Sequence, residues 1–252
     1  MTLIDCGWAT AAGPRADNQD RCATSSRWVV VSDGVGGQAG GGVAAELCVG
    51  TVVRSLRGHS GPFDERQLDD AVQRANGAVR AGQRANQALA GMAATLTMAI
   101  AASVHVDGSR WLVASIGDSS AWHITRDRAA KVTEDHTLAT QLVTSGVLAP
   151  ETARSSSARH ALVRAIGMHD RAAPDTTSVM LASGDALLVA SDGVTDVLDA
   201  VDIHHLIARA PTAQHAARRA IDAALRRRGR DNVTAAVVRH LASSHDGVAD
   251  PG

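Results

Sequence analysis

Short apolar runs, each closed by glycine or a polar turn, alternate along this chain with longer stretches of helical spacing. Ile4-Ala9, Arg21-Thr24 and Trp28-Ser32 read as strands, the last two joined by Ser25-Ser26. A glycine-rich stretch, 36–42, leads into residues 43–56, where Val43, Leu47, Val52 and Leu56 share one helical face, and 67–89 predicts a second helix. The period then changes to that of strands. Residues 93–102, 110–116, 121–125, 176–181, 186–190 and 233–240 are all apolar and strand-like, several separated by turn pairs such as Asp107-Gly108 and Ser183-Gly184. Residues 134–164 are polar, with short helices predicted over 136–145 and 150–155 and Ser155–Ser157 as a mobile link, the pattern of a surface flap. Helices over 201–209 and 213–227 precede the last strand. The layout is antiparallel α+β, one domain over 1–241, with 242–252 small and polar enough to fray.

The 252 residues, 45% of them hydrophobic, suffice for a sizeable core, but four Trp, one Phe and no Tyr leave it to Val, Leu, Ile and Ala. Scarce aromatics and a net charge of -1 offer neither base-stacking platforms nor a general attraction for nucleic acid or an anionic membrane. The first ten residues lack a basic segment followed by an apolar one, and no stretch is long and apolar enough to span a bilayer, so the expected setting is cytoplasmic and the expected state a monomer. Cys6, Cys22 and Cys48 have neither disulfide nor zinc spacing.

One tetrapeptide occurs twice. Ser-Asp-Gly-Val closes the apolar runs 28–31 and 186–190, so Asp33 and Asp192 are placed at strand ends. Asp118 in Ile-Gly-Asp-Ser and Asp231 in Arg-Asp-Asn-Val-Thr stand in similar surroundings. An isolated Asp-Gly is most simply a turn. Four acids at strand ends are better explained by a shared divalent cation, and carboxylates with water suit Mg²⁺ or Mn²⁺ rather than zinc.

Six strings stand in order: Arg-Ala-Asp-Asn-Gln-Asp at 15–20, Ser-Asp-Gly-Val-Gly-Gly at 32–37, Met-Ala-Ala-Thr-Leu at 92–96, Ser-Ile-Gly-Asp-Ser-Ser at 115–120, Ser-Asp-Gly-Val-Thr-Asp at 191–196 and Arg-Asp-Asn-Val-Thr at 230–234. Together they resemble the metal-dependent serine/threonine protein phosphatases of the PPM, or type 2C, family. The resemblance implies a four-layer αββα sandwich, two antiparallel sheets flanked by helices, with two or three Mn²⁺ or Mg²⁺ ions at one edge. It implies that Asp33 bridges two ions, that the Gly34 carbonyl serves the first, and that Asp192 and Asp231 serve the second. Asp118 would join Asp192 at a third ion. Asp20, Gln19 and Asn232 would support these ligands, and Arg15 would hold the substrate phosphate. The implied partners are phosphorylated proteins and a serine/threonine kinase that marks them.

Two departures stand out. Gln19 occupies a place where many members carry Glu, and Val35 stands where some relatives place a histidine that protonates the leaving alkoxide. His136, in Asp-His-Thr at the start of the flap, is the candidate acid, against the plainer reading of a structural histidine. Arg226–Arg230 is read as a helix C-terminus closed by Gly229, and His204-His205 as surface. Two rival functions are a catalytically silent binding protein on the same scaffold and a phosphatase dedicated to one regulator, such as an anti-sigma-factor antagonist.

Overall fold

The computed structural model describes residues 3–35, 40–153 and 155–241. In chain order the strands are β1 (Ile4–Ala11), β2 (Arg21–Ser25), β3 (Trp28–Ser32), β4 (Gly34–Val35), β5 (Ala93–Ala94), β6 (Leu96–Val104), β7 (Gly108–Ile116), β8 (Ser120–Ile124), β9 (Ala129–Lys131), β10 (Asp175–Ala182), β11 (Ala186–Ala190) and β12 (Val233–His240). The helices are α1 (Gly40–Leu56), α2 (Glu65–Ala85), α3 (Leu138–Thr144), α4 (Pro150–Ala153), α5 (Asp192–Thr195), α6 (Ala200–Ala208) and α7 (Ala213–Arg226).

Two antiparallel sheets, ordered β1-β12-β11-β8-β9 and β10-β7-β6-β3-β2, pack face to face. The inner strands β3 and β11 are buried along their whole length, and their apolar runs are unbroken because both faces are covered. Val29 and Val31 of β3 point into the sandwich against Leu187 and Val189 of β11, while Val30 points at the α1/α2 layer and Leu188 at the α6/α7 layer. Burying one such side chain contributes about 1.5–3 kcal/mol. Several in succession lock the register of β3 and β11, and so fix where the chain emerges as Asp33 and Asp192.

Differences from the sequence pattern have local causes. The run 93–102 divides into β5 and β6 at Thr95, whose backbone and hydroxyl bind Asp33 instead of continuing one strand. Helix α1 starts at Gly40 rather than Val43; Gly36-Gly37 lie outside the described residues. Helix α2 stops at Ala85 because Asn86 turns extended and its side chain accepts from Ala88 N–H, opening a separate 3-10 turn, Gln87–Leu89. The three-residue β9 carries no strand signature. Ser155 and Ser156 are not a loose link, since both donate backbone hydrogen bonds to the preceding turn and Ser156 caps a 3-10 turn, Ser157–His160. The tail 242–252 lies outside the described residues.

Candidate metal centre

Four sheet-edge connections carry the acids to one place. Asp33 leaves β3, Asp118 lies between β7 and β8, Asp192 opens α5 directly after β11, and Asp231 precedes β12. All four line one cleft of about 890 Å³, together with Arg15, Gln19, Gly34, Val35 and Asn232. The backbone of Asp33 is clamped at both ends, its N–H donating to Thr95 Oγ1 at 2.9 Å and its carbonyl accepting from Thr95 N–H at 2.8 Å. Glycine after each repeated Asp serves close packing. A Cβ on Gly34 would lie 2.1 Å from Gly41 O and one on Gly193 1.9 Å from Asn232 O, and neither glycine has a positive φ.

Beneath the cleft floor Asp20 is buried, with Oδ2 accepting from Ser191 Oγ at 2.7 Å while Oδ1 has no partner. Asn232 ties the 12–19 loop to β12, donating to the Ala12 and Asp17 carbonyls and accepting from Gln19 N–H. The acids repel one another. Burial, then the charges of Asp20, Asp192 and Asp118, holds Asp33 well above the usual carboxylate range. Asp118 is pushed up to about 8 by burial and then by Asp192, and Asp20 to about 6 by burial against hydrogen bonds from Ser191 and Thr234. Oδ1 of Asp192 is also buried without a partner. Crowded, under-satisfied carboxylate oxygens of this kind fit hard divalent cations, which would supply the missing positive charge.

Arg15 is more than half exposed at the rim, where Nη2 donates to Asp231 Oδ2 at 2.7 Å and Nε to the Arg230 carbonyl at 3.0 Å. His136 does not reach the cleft. Its side chain is 1% exposed, Nδ1 accepts from Gly117 N–H at 3.1 Å, and Nε2 makes a bent 3.1 Å approach to Asp175 Oδ2, so the expectation of a general acid there is corrected. The family model described as Protein phosphatase 2C matches residues 13–228.

The chain belongs to the protein phosphatase 2C family.

It is 32% identical over 229 residues to the serine/threonine protein phosphatase PstP of Mycobacterium tuberculosis, covering 88% of this chain but only 42% of that relative's length. The crystal structure of the M. tuberculosis phosphatase PstP/Ppp superposes with a TM-score of 0.85 at 30% identity, over 95% of this chain and 99% of that one. A structure of the PstP catalytic domain in complex with two manganese ions gives 0.83 at 29% identity, over 94% and 98%. The αββα architecture read from the sequence is thus that of this phosphatase family.

Within this family frame, sequence reasoning passed over three cleft residues. His160 Nδ1 lies 3.7 Å from Asp192 Oδ2 and its Nε2 3.9 Å from Asp196 Oδ2, and ligand atoms of all three lie within 4.8 Å of one another. The nearby Asp192 carboxylate raises the His160 pKa. Arg159, from the same flap turn, pairs with Asp196 and donates through Nε to His160 Nε2 at 2.8 Å. Asp196 was legible as the residue one helical turn beyond Asp192. Arg159 and His160 carry no motif, because only the path of the flap brings them over the cleft. At the end of α7 the left-handed residue is Arg228, φ 59°, not Gly229. Arg227 pairs with Asp202, whereas Arg228 and Arg230 line the cleft. His204 rests on the Arg126 carbonyl. No helix among the described residues is long and apolar enough to cross a membrane.

Proposed function

We propose that this protein removes phosphate from phosphoserine and phosphothreonine of phosphorylated proteins, opposing a serine/threonine kinase, with Mn²⁺ or Mg²⁺ as cofactor. The observation that carries this reading is the convergence of Asp33, Asp118, Asp192 and Asp231 on one cleft whose carboxylates are too crowded to ionise together without cations. Cations held by these four acids and the Gly34 carbonyl would supply an activated water and neutralise charge on the phosphate.

The chain's own residues do the rest. Thr95 holds the Asp33 backbone at the cleft edge at 2.9 Å, and Asp20 anchors Ser191, the residue before Asp192, at 2.7 Å. Arg15, Arg228 and Arg230 give the rim positive charge for the nonbridging phosphate oxygens, and a guanidinium there offers a planar fork that an ammonium lacks. Val35 has no proton to give the departing seryl or threonyl oxygen, and both ring nitrogens of His160 at the rim are turned to protein groups, Nδ1 to Asp192 and Nε2 to Arg159.

The test is release of inorganic phosphate from a phosphothreonine peptide. Turnover with Mn²⁺, its loss after EDTA and its return on readdition are expected; turnover that survives thorough chelation would overturn the assignment. Arg15→Ala should mainly raise KM, with Arg15→Lys a partial rescue.

A further inference from the structure

A buried chain of polar contacts runs from Asp33 to the root of the flap. Thr95 Oγ1 accepts from Asp33 N–H at 2.9 Å and lies 2.7 Å from Ser119 Oγ; Thr95 and Ser119 are both buried. Ser119 follows Asp118. Gly117 precedes it, at φ 106° and so close to Thr95 that a Cβ would meet the Thr95 side chain at 2.7 Å. His136 grips Gly117 at two points, accepting its N–H on Nδ1 at 3.1 Å and donating its own backbone N–H to the Gly117 carbonyl at 2.9 Å. The His136 carbonyl meanwhile accepts from Val163 N–H at 2.9 Å, and Leu138 N–H donates to the Ala161 carbonyl at 2.8 Å, so the outgoing and returning arms of the flap cross at this residue. On the far side of the ring stands Asp175, held in turn by Arg164 at 2.8 Å.

Because Nδ1 is an acceptor, the ring is neutral with its hydrogen on Nε2, and burial, the largest influence on it, also favours that form. A histidine placed only for packing would not need its Nδ1 lone pair on the residue before a cleft carboxylate. We infer that His136 is a positioning residue, whose Nδ1 fixes the Gly117–Asp118 turn to the flap root and thereby sets how tightly Asp118 can hold a cation. The inference rests on the reading of Asp118 as a cation-holding residue given under Proposed function.

The test uses the two amide side chains as surrogates for the two ring nitrogens. His136→Asn and His136→Gln place an amide near the Nδ1 and Nε2 positions respectively, and His136→Ala supplies neither. Mn²⁺ affinity is read from the electron paramagnetic resonance signal of the free ion, and hydrogen exchange of the Gly117 amide is read in metal-free protein. Removing a residue that orients a metal ligand typically weakens affinity about 10–100-fold. Accordingly His136→Gln and His136→Ala should lower Mn²⁺ affinity by about 10-fold or more, speed Gly117 exchange about 10-fold and reduce kcat with KM for phosphopeptide little changed, whereas His136→Asn should stay within about 3-fold of wild type. A purely structural role would lower thermal stability in all three without separating His136→Asn from His136→Gln. Equal behaviour of those two variants, or unaltered Mn²⁺ affinity in His136→Gln and His136→Ala, would overturn the inference.

Should the His136 variants fail to fold, Thr95→Val, which keeps shape and removes the hydroxyl, should weaken Mn²⁺ binding in the same direction; no change there would equally overturn it. Asp118→Asn separates the two failures. If it leaves Mn²⁺ affinity untouched, the reading of the site is at fault; if it weakens binding while His136→Gln does not, only the positioning role is lost.

Discussion

The same four residues, Ser-Asp-Gly-Val, fold in two ways in this molecule. At 32–35 they leave β3 and become the short strand β4, paired with β5; at 191–194 they leave β11 and become the helical turn α5. Ser32 Oγ donates to the Thr95 carbonyl, whereas Ser191 Oγ donates to the buried Asp20 carboxylate. What the copies share is narrower than local structure. Each has a strand buried on both faces, a carboxylate at its end, and a glycine that lets another backbone approach, Gly41 in one case and Asn232 in the other. The tetrapeptide specifies a carboxylate at a crowded strand end, and long-range packing decides the rest.

The largest effect should come from the shared carboxylates. Asp33→Asn and Asp192→Asn should each reduce kcat for a phosphopeptide about 100-fold or more, a loss of about 2.7 kcal/mol of transition-state stabilisation, while far-ultraviolet circular dichroism stays unchanged. A variant with near-native turnover would break the equivalence of the two copies.

The glycines come next. Gly34→Ala and Gly193→Ala both force a Cβ into backbone, an overpacking that costs about 1–3 kcal/mol or more and lowers Tm by about 2–4 °C for each kcal/mol. Gly77 of α2 has open space around its Cβ position, and Gly77→Ala should instead raise stability by about 0.5–1 kcal/mol. Denaturant midpoints for the three variants decide the matter; a harmless Gly193→Ala would remove close approach as the reason for glycine there.

The serines should differ from each other. Ser191→Ala strips the buried Asp20 carboxylate of a donor and should cost about 1–3 kcal/mol, against about 1 kcal/mol for Ser32→Ala, which deprives only a carbonyl. Chemical denaturation at one pH measures both, and equal losses would mean that the two hydroxyls do the same work.

These contrasts mark what could be read without coordinates. The strands and their carboxylates were legible because two-sided burial writes an unbroken apolar run and Asp-Gly closes it. Hidden in the sequence were features that depend on pairs distant along the chain. Thr95 breaks a strand to serve Asp33, 62 residues away. His160 reaches Asp192 only through the flap, and His136, on the same segment, turns inward to Gly117. A histidine in a polar segment gives no sign of which way it faces.

A smaller effect follows from pH. Asp118, pushed up to about 8, Asp20, at about 6, and Asp33, also raised, hold protons in the folded metal-free chain that the unfolded chain releases. Their contribution to stability is therefore complete below the ordinary carboxylate range and is lost as pH rises towards 8. The Tm of metal-free protein should fall between pH 5 and 8, and the Tm gain on adding Mn²⁺ should widen over the same interval. Calorimetry with and without Mn²⁺ checks this, and a gain that shrinks as pH rises would contradict the assigned shifts.

The most direct test counts cations and phosphate together. Metal-free protein is equilibrated with Mn²⁺ at pH 7.5, bound ions are determined by isothermal titration calorimetry, and phosphate release from a phosphothreonine peptide is followed at each Mn²⁺ level. The account predicts at least two Mn²⁺ per chain, with turnover rising as those sites fill and absent before they do. Hydrolysis by the metal-free protein, or tight Mn²⁺ binding with no hydrolysis, would contradict it.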